Sequence, residues 1–196
     1  VTWRTRTDLS ETSSTSLHTQ KFDSNGEKIG SEITLDYVET HHAILSDVAA
    51  LSNDGYVAVW TQQDNAGYNI SYQIFNSDGN EVSDILELKK PTGFDFTYSQ
   101  THKTDNGFLI SWQSYNNEAT ISPHHILIQT FDQFGAPSSE QTVLQNKEIN
   151  WAGQNAQFHF IADVSVNDNG KGLVLWTGND PLYDSEVNAT PFQLVA

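Results

Sequence analysis

The chain has no cysteine and no methionine among its 196 residues. Without thiols there is no disulfide framework and no thiolate metal site. A chain of this length can bury a core without staples and is expected to form one domain, residues 1–196. Its Val start and lack of Met point to a domain cut from a longer protein. Basic residues are also scarce: Lys and Arg total 9 against 25 Asp and Glu, a formal net charge of −16. Phosphate binding needs a basic face, so nucleic acid is excluded as a partner, and an anionic membrane surface falls with it. No apolar run reaches about 18 residues, so no membrane insertion is expected. No signal-peptide pattern stands at the start. No window carries a convincing helical period, which makes the class all-β.

What is present is a repeat. Trp3, Trp60, Trp112 and Trp176 are spaced 57, 52 and 64 residues apart. The last three end similar strands, "YVAVW", "FLISW" and "GLVLW", each preceded by an Asp/Asn-Gly turn signal. A polar segment follows each of the first three Trp residues, and then a Q-x-F-x-x-x-G element: Gln20 to Gly26, Gln73 to Gly79 and Gln129 to Gly135. Third strands such as "SEITL" and fourth strands such as "DVAALS" complete the unit. The pattern predicts three four-stranded repeats of roughly 55 residues, with partial ones at the ends. In "YVAVW" both faces are apolar, which suits strands covered on both sides, as between the blades of a small propeller. A compact β-sandwich of the same strands is the alternative. The opening "VTW" and closing "TPFQLVA" read as broken ends that lie in neighbouring strands or sheets and complete one another.

The acidic glycines, such as "DSNG" and "NSDG", are explained by the positive φ of hairpin turns. Asp47 and Asp163 recur thirteen residues before a Trp and read as backbone hydrogen-bonding groups at strand starts. The pairs His41-His42 and His124-His125 point to opposite strand faces and do not suggest zinc. There is no nucleophile elbow, P-loop or dinucleotide fingerprint. "SNDGYVAVW" approaches a sialidase Asp box, but its Asp and Gly are adjacent, its Trp comes too late, and only Arg4 and Arg6 stand where three arginines would be needed. With no convincing acid–base pair the chain reads as a non-enzyme.

Chemistry is sought where the repeats differ, in the segments after each Trp: "RTRTDLSETSS", "TQQDNAGYN", "QSYNNEATISPHH" and "TGNDPLYDSEVN". Repeat equivalence puts them at one end of the domain, as loops. Ca²⁺ takes six to eight oxygens from flexible acidic loops. The candidate ligands are Asp180, Asp184, Glu186, Asp64, Asp8 and Glu118, with "NDPLYDSE" the densest set. Asn179, Tyr183, Tyr68, Asn69 and Tyr115 stand in the same segments and are the candidate ligand contacts.

The combination G-[YF]-x-x-x-W, Q-x-F-[DN]-x-x-G and D-V-A-A-L-S resembles repeats of large bacterial RTX-type adhesins. A Cys-free acidic domain of this size is similar to their peptide-binding domain. The resemblance implies a calcium-dependent pocket for short, often C-terminal, peptides of proteins on host or partner cells. It also implies type I secretion, an extracellular place at the bacterial surface, a role in cell adhesion and biofilm, and a monomeric module within a long adhesin. A carbohydrate-binding or glycan-hydrolysing domain is the alternative from blade-like repeats and aromatic segments such as "GYNISY". A passive spacer is the third, though a spacer has no reason to elaborate one end.

Overall fold

The structure, a computed structural model, describes residues 1–6, 15–38, 45–64, 67–118, 124–147, 160–167, 171–180 and 183–193. Among these there is no helix, and fourteen strands form four antiparallel sheets. Sheet 1 holds β1 (Thr2–Arg6), β2 (Thr15–Phe22) and β3 (Lys28–Val38). Sheet 2 holds β4 (Leu45–Ala50), β5 (Tyr56–Asp64), β6 (Gly67–Phe75) and β7 (Leu86–Glu87). Sheet 3 holds β8 (Phe94–Thr104), β9 (Gly107–Asn116), β10 (His124–Asp132) and β11 (Thr142–Lys147). Sheet 4 holds β12 (Phe160–Val166), β13 (Lys171–Asp180) and β14 (Tyr183–Gln193). The chain is all-β, as its composition implies.

The strand before each of the last three Trp strands pairs with it as a hairpin, β4 with β5, β8 with β9 and β12 with β13. The reason is local: a tight turn joins β4 to β5, where Leu51 N–H donates to Gly55 O at 2.9 Å, and another joins β8 to β9. The described sheets hold three, four, four and three strands. Four sheets also replace the two of a sandwich.

The double-faced apolar strands are explained by stacking. On β5, Ala58 and Trp60 pack with Leu17 and Leu35 of sheet 1. The alternate residues Val57 and Val59 pack with Phe96, Phe108, Ile110 and Trp112 of sheet 3. On β9, Leu109 turns the other way, to Val164 and Val174 of sheet 4. The order in space is thus sheet 1, 2, 3, 4, with the largest core between 2 and 3. Val57, Val59, Trp60, Leu109 and Trp112 are fully buried, each contributing on the order of 1.5–3 kcal/mol of apolar burial. β1 and β14 are hydrogen-bonded into different sheets, β1 at the edge of sheet 1 and β14 at the edge of sheet 4.

The turns follow one design. The carboxylate or amide Oδ1 of Asp23 accepts from Asn25 and Glu27 N–H, that of Asn76 from Asp78 and Asn80, and that of Asp132 from Phe134 and Ala136, all within 2.8–3.0 Å. Gly26, Gly79 and Gly135 then take φ of 83°, 81° and 89°, where other residues are strained. The Gln of each Q-x-F element donates to a carbonyl beyond its turn: Gln20 to Ile29 O, Gln73 to Ser83 O and Gln129 to Ser139 O. Asp47 and Asp163 do cap strand starts, accepting from Val48 and Val164 N–H. Asp47 does more: its second oxygen accepts from Thr101 N–H at 2.9 Å and ties sheet 2 to sheet 3.

Candidate ligand-binding site

After Trp60, Trp112 and Trp176 the described residues continue as strand rather than as loop. β5 and β6 stay paired out to Asp64 and Gly67. β9 runs on to Asn116, opposite Phe94. β13 and β14 remain paired through Gly178 with Glu186 and Asp180 with Tyr183. "NDPLYDSE" is therefore a hairpin tip with 181–182 between its strands, and Asp184 and Glu186 lie within β14. The Tyr, Thr and Val content of these segments favours the pleated extension.

The extended ends of sheets 2 and 3 meet around Asp95, a carboxylate only 4 % exposed. Its Oδ1 accepts from Tyr68 N–H at 3.0 Å and from Asn117 Nδ2 at 2.9 Å. Lys90 Nζ stands 3.8 Å away and also donates to Tyr68 O at 2.9 Å. The Tyr115 hydroxyl donates to the same carboxylate. A charge taken out of water is tolerable only with such partners. Burial, then the charge of Asp95 and the hydrogen bond to it, push the Tyr115 phenol well above its ordinary pKa, with smaller contributions from Tyr68 and Tyr98. Burial, then Tyr68, pushes Tyr98 up as well. The raised Tyr98 and Tyr115 phenols stay protonated at neutral pH.

Backbone detail holds the cluster in place. Tyr98 has φ 54° at the irregularity between Thr97 and Gln100, a conformation rare for an aromatic residue and concentrated at functional sites. Gly67, at φ 104°, leaves no room for a side chain, because Asp95 Oδ1 fills the space of a Cβ. Gly93 is similarly closed by the Glu118 carboxylate, with Cδ 2.9 Å from the position of an added Cβ. Asn117 N–H donates to Gly93 O at 2.8 Å.

Beside the cluster runs an open groove of about 1090 Å³ between the β7 edge of sheet 2 and the β10–β11 turn of sheet 3. Tyr72, Leu86, Leu88, Phe131 and Phe134 line it, and Lys90 belongs to both groove and cluster. Tyr72 hydroxyl donates to Gly135 O at 3.0 Å across the gap between the sheets. Phe134 is 70 % exposed.

The structure therefore brings together Tyr68, Asn69, Tyr115 and Glu118 of the sequence candidates, with the backbone of Asp64 at the same hairpin end. Asn69 is buried and Glu118 exposed. Asn179, Asp180, Tyr183, Asp184 and Glu186 belong to the hairpin of sheet 4, and their side chains, like that of Asp64, lie outside the described ones. Asp8 lies outside the described residues altogether. Among the described residues no three His, Asp or Glu side chains group as a metal site. Sequence reasoning missed Asp95, Tyr98 and Lys90. The signal for Asp95 was "FDF", an acid between two aromatic residues. No family model matches the chain, and neither does any curated protein or solved structure.

Proposed function

We propose that this chain is a non-catalytic, calcium-dependent ligand-binding module of an RTX-type extracellular adhesin, with its sheets standing as the blades of a small propeller-like arrangement. Its ligand is a short peptide segment of a protein on a host or partner cell. The observation that supports this is the meeting of Tyr115, Lys90 and the Tyr68 backbone N–H on buried Asp95, with Tyr98 close to Tyr68 and Tyr115, beside an open, partly apolar groove. Clefts of several hundred cubic ångströms with a few convergent polar groups are the usual form of a ligand site. Protonated phenols offer rigid contact area and a hydrogen bond each at small entropy cost. They are poor bases, which favours recognition over catalysis.

In this reading the peptide lies along the groove, with apolar side chains against Leu86, Phe131 and Phe134 and its polar end at the tyrosines. Calcium, held by the acidic hairpin ends, offsets the charge of −16 that would otherwise repel a terminal carboxylate. The test is a peptide library with free and amidated C-termini beside a glycan array, each with millimolar Ca²⁺ and with chelator. Capture of free-acid peptides only with Ca²⁺ supports the proposal. Binding to glycans instead supports the carbohydrate alternative, and binding to neither supports a spacer.

A further inference from the structure

The inter-sheet junctions of this molecule obey one rule. On β5 and β9 the Trp and residues of its parity face the preceding sheet and the alternate residues face the following one, and on β13 Val174, of the same parity as Trp176, faces sheet 3. Trp60 faces sheet 1, and Trp112 faces sheet 2. Val57 and Val59 face sheet 3, and Leu109 faces sheet 4. At every such junction these residues are 0 % exposed.

Both ends of the stack carry half of such a junction. By its spacing from Trp176, Leu173 is the equivalent of Val57 and Leu109, and Leu175 that of Val59. Leu173 is 40 % exposed and Leu175 half-buried. At the other end, Trp3 is the equivalent of Trp60 and Trp112, yet it is only half-buried and rests on the ring of His18 at 5.5 Å. The neighbouring Thr2 obeys the rule in the other direction, its hydroxyl accepting from Ser46 of sheet 2 at 3.0 Å. So one face lacks a Trp-bearing partner, and the other is a Trp-bearing face without a cover among the described residues.

We infer that the outer face of sheet 4, at Leu173 and Leu175, docks onto the outer face of sheet 1, at Trp3, of a second copy of this chain. The argument is continuity: the missing contact is of the kind that Trp60 and Trp112 already make with the sheet before them. Charge fits locally, since Lys171 shares the parity of Leu173 and Glu32 rims the Trp3 face. Asp163, also exposed on sheet 4, already accepts from Val164 N–H. The contact is heterologous, so each copy keeps one free face and growth continues head to tail. The inference departs from the expectation of a monomeric module, and it rests on the sheet order alone, independent of the ligand.

The net charge of −16 opposes association at long range, and salt screens it, with a Debye length of about 10 Å at 0.1 M and about 3 Å at 1 M. Sedimentation velocity over a concentration series, at low and high salt, is the test. The weight-average mass should rise above the 21.9 kDa of one chain with concentration, and more at high salt. Leu173→Asp and Trp3→Ala should each weaken association at least about tenfold, a loss on the order of 1.4 kcal/mol. Should Trp3→Ala fail to fold, Thr5→Glu on the same exposed face takes its place. An equal mixture of the Leu173→Asp and Trp3→Ala chains should give dimers and nothing larger, because each keeps one intact face. A single-chain mass at all concentrations and salts would overturn the inference, as would unchanged association of Leu173→Asp or a mixture that stays monomeric.

Discussion

Sheets 2 and 3 are covered on both faces, while sheets 1 and 4 are covered on one among the described residues. The same Trp motif occurs in both kinds of sheet, yet Trp60 and Trp112 are fully buried and Trp3 is not. Burial is thus set by a sheet's place in the stack, and the motif only makes a strand fit to be covered. The inner pair also carries the polar tie between Asp47 and Thr101 and the whole Asp95 cluster. The site therefore sits on the best-packed part of the fold, where it is held most rigidly.

The sharpest way to break this comparison is a pair of Trp truncations. Trp112→Ala should cost about 3–5 kcal/mol, because it empties a fully buried site. Trp3→Ala should cost about 1 kcal/mol, typical of a half-exposed position. Equal losses in chemical denaturation would show that the two sheets are packed alike. Next comes Asp47→Ala, which strips Val48 and Thr101 N–H of their acceptor and should cost about 1–3 kcal/mol. Asp163→Ala, whose described bond is only to Val164 of its own sheet, should cost less by the same measurement.

Smaller effects separate turns from faces. Asn76→Ala removes an oxygen that accepts two backbone N–H groups. It should cost about 1 kcal/mol in thermal or urea unfolding while leaving ligand binding intact, since its turn takes no part in the Asp95 cluster. The smallest effect is at high pH. Tyr72 is pushed by burial, and less by Asp132, from the ordinary phenol value of 10.0 up to about 12. A phenol whose folded pKa is raised contributes its stability fully below the unfolded pKa, and that stability is lost as pH rises through the folded value. Denaturation midpoints should therefore fall between pH 10 and about 12, and Tyr72→Phe should flatten that fall.

Much of the fold could be read from the sequence because its signals are local. Asx-Gly pairs fix turns within four residues, and the apolar faces of "YVAVW" are visible residue by residue. The pairing of β4, β8 and β12 with the Trp strands was legible in the Asx-Gly turn before each Trp, whereas the number of sheets was not, since a periodic sequence gives the same repeat wherever its ends fall. The site was half legible. Tyr68, Asn69, Tyr115 and Glu118 were singled out because they follow a Trp where the repeats diverge. Asp95 precedes Trp112 by 17 residues and reaches the cluster through the β8–β9 pairing, a register that the residues alone do not state. Tyr98 was missed for a related reason: its importance lies in a positive φ imposed by a strand irregularity.

The most direct test is to measure affinity for a captured peptide by calorimetry in the intact chain and in Tyr68→Ala, Tyr98→Ala and Asn76→Ala variants, with Ca²⁺ present and unfolding midpoints recorded. The account predicts that the two tyrosine variants lose at least about tenfold in affinity, about 1.4 kcal/mol, with little loss of stability. Asn76→Ala should lose stability and keep its affinity. Unchanged affinity in both tyrosine variants would contradict the placing of the ligand at the Asp95 cluster.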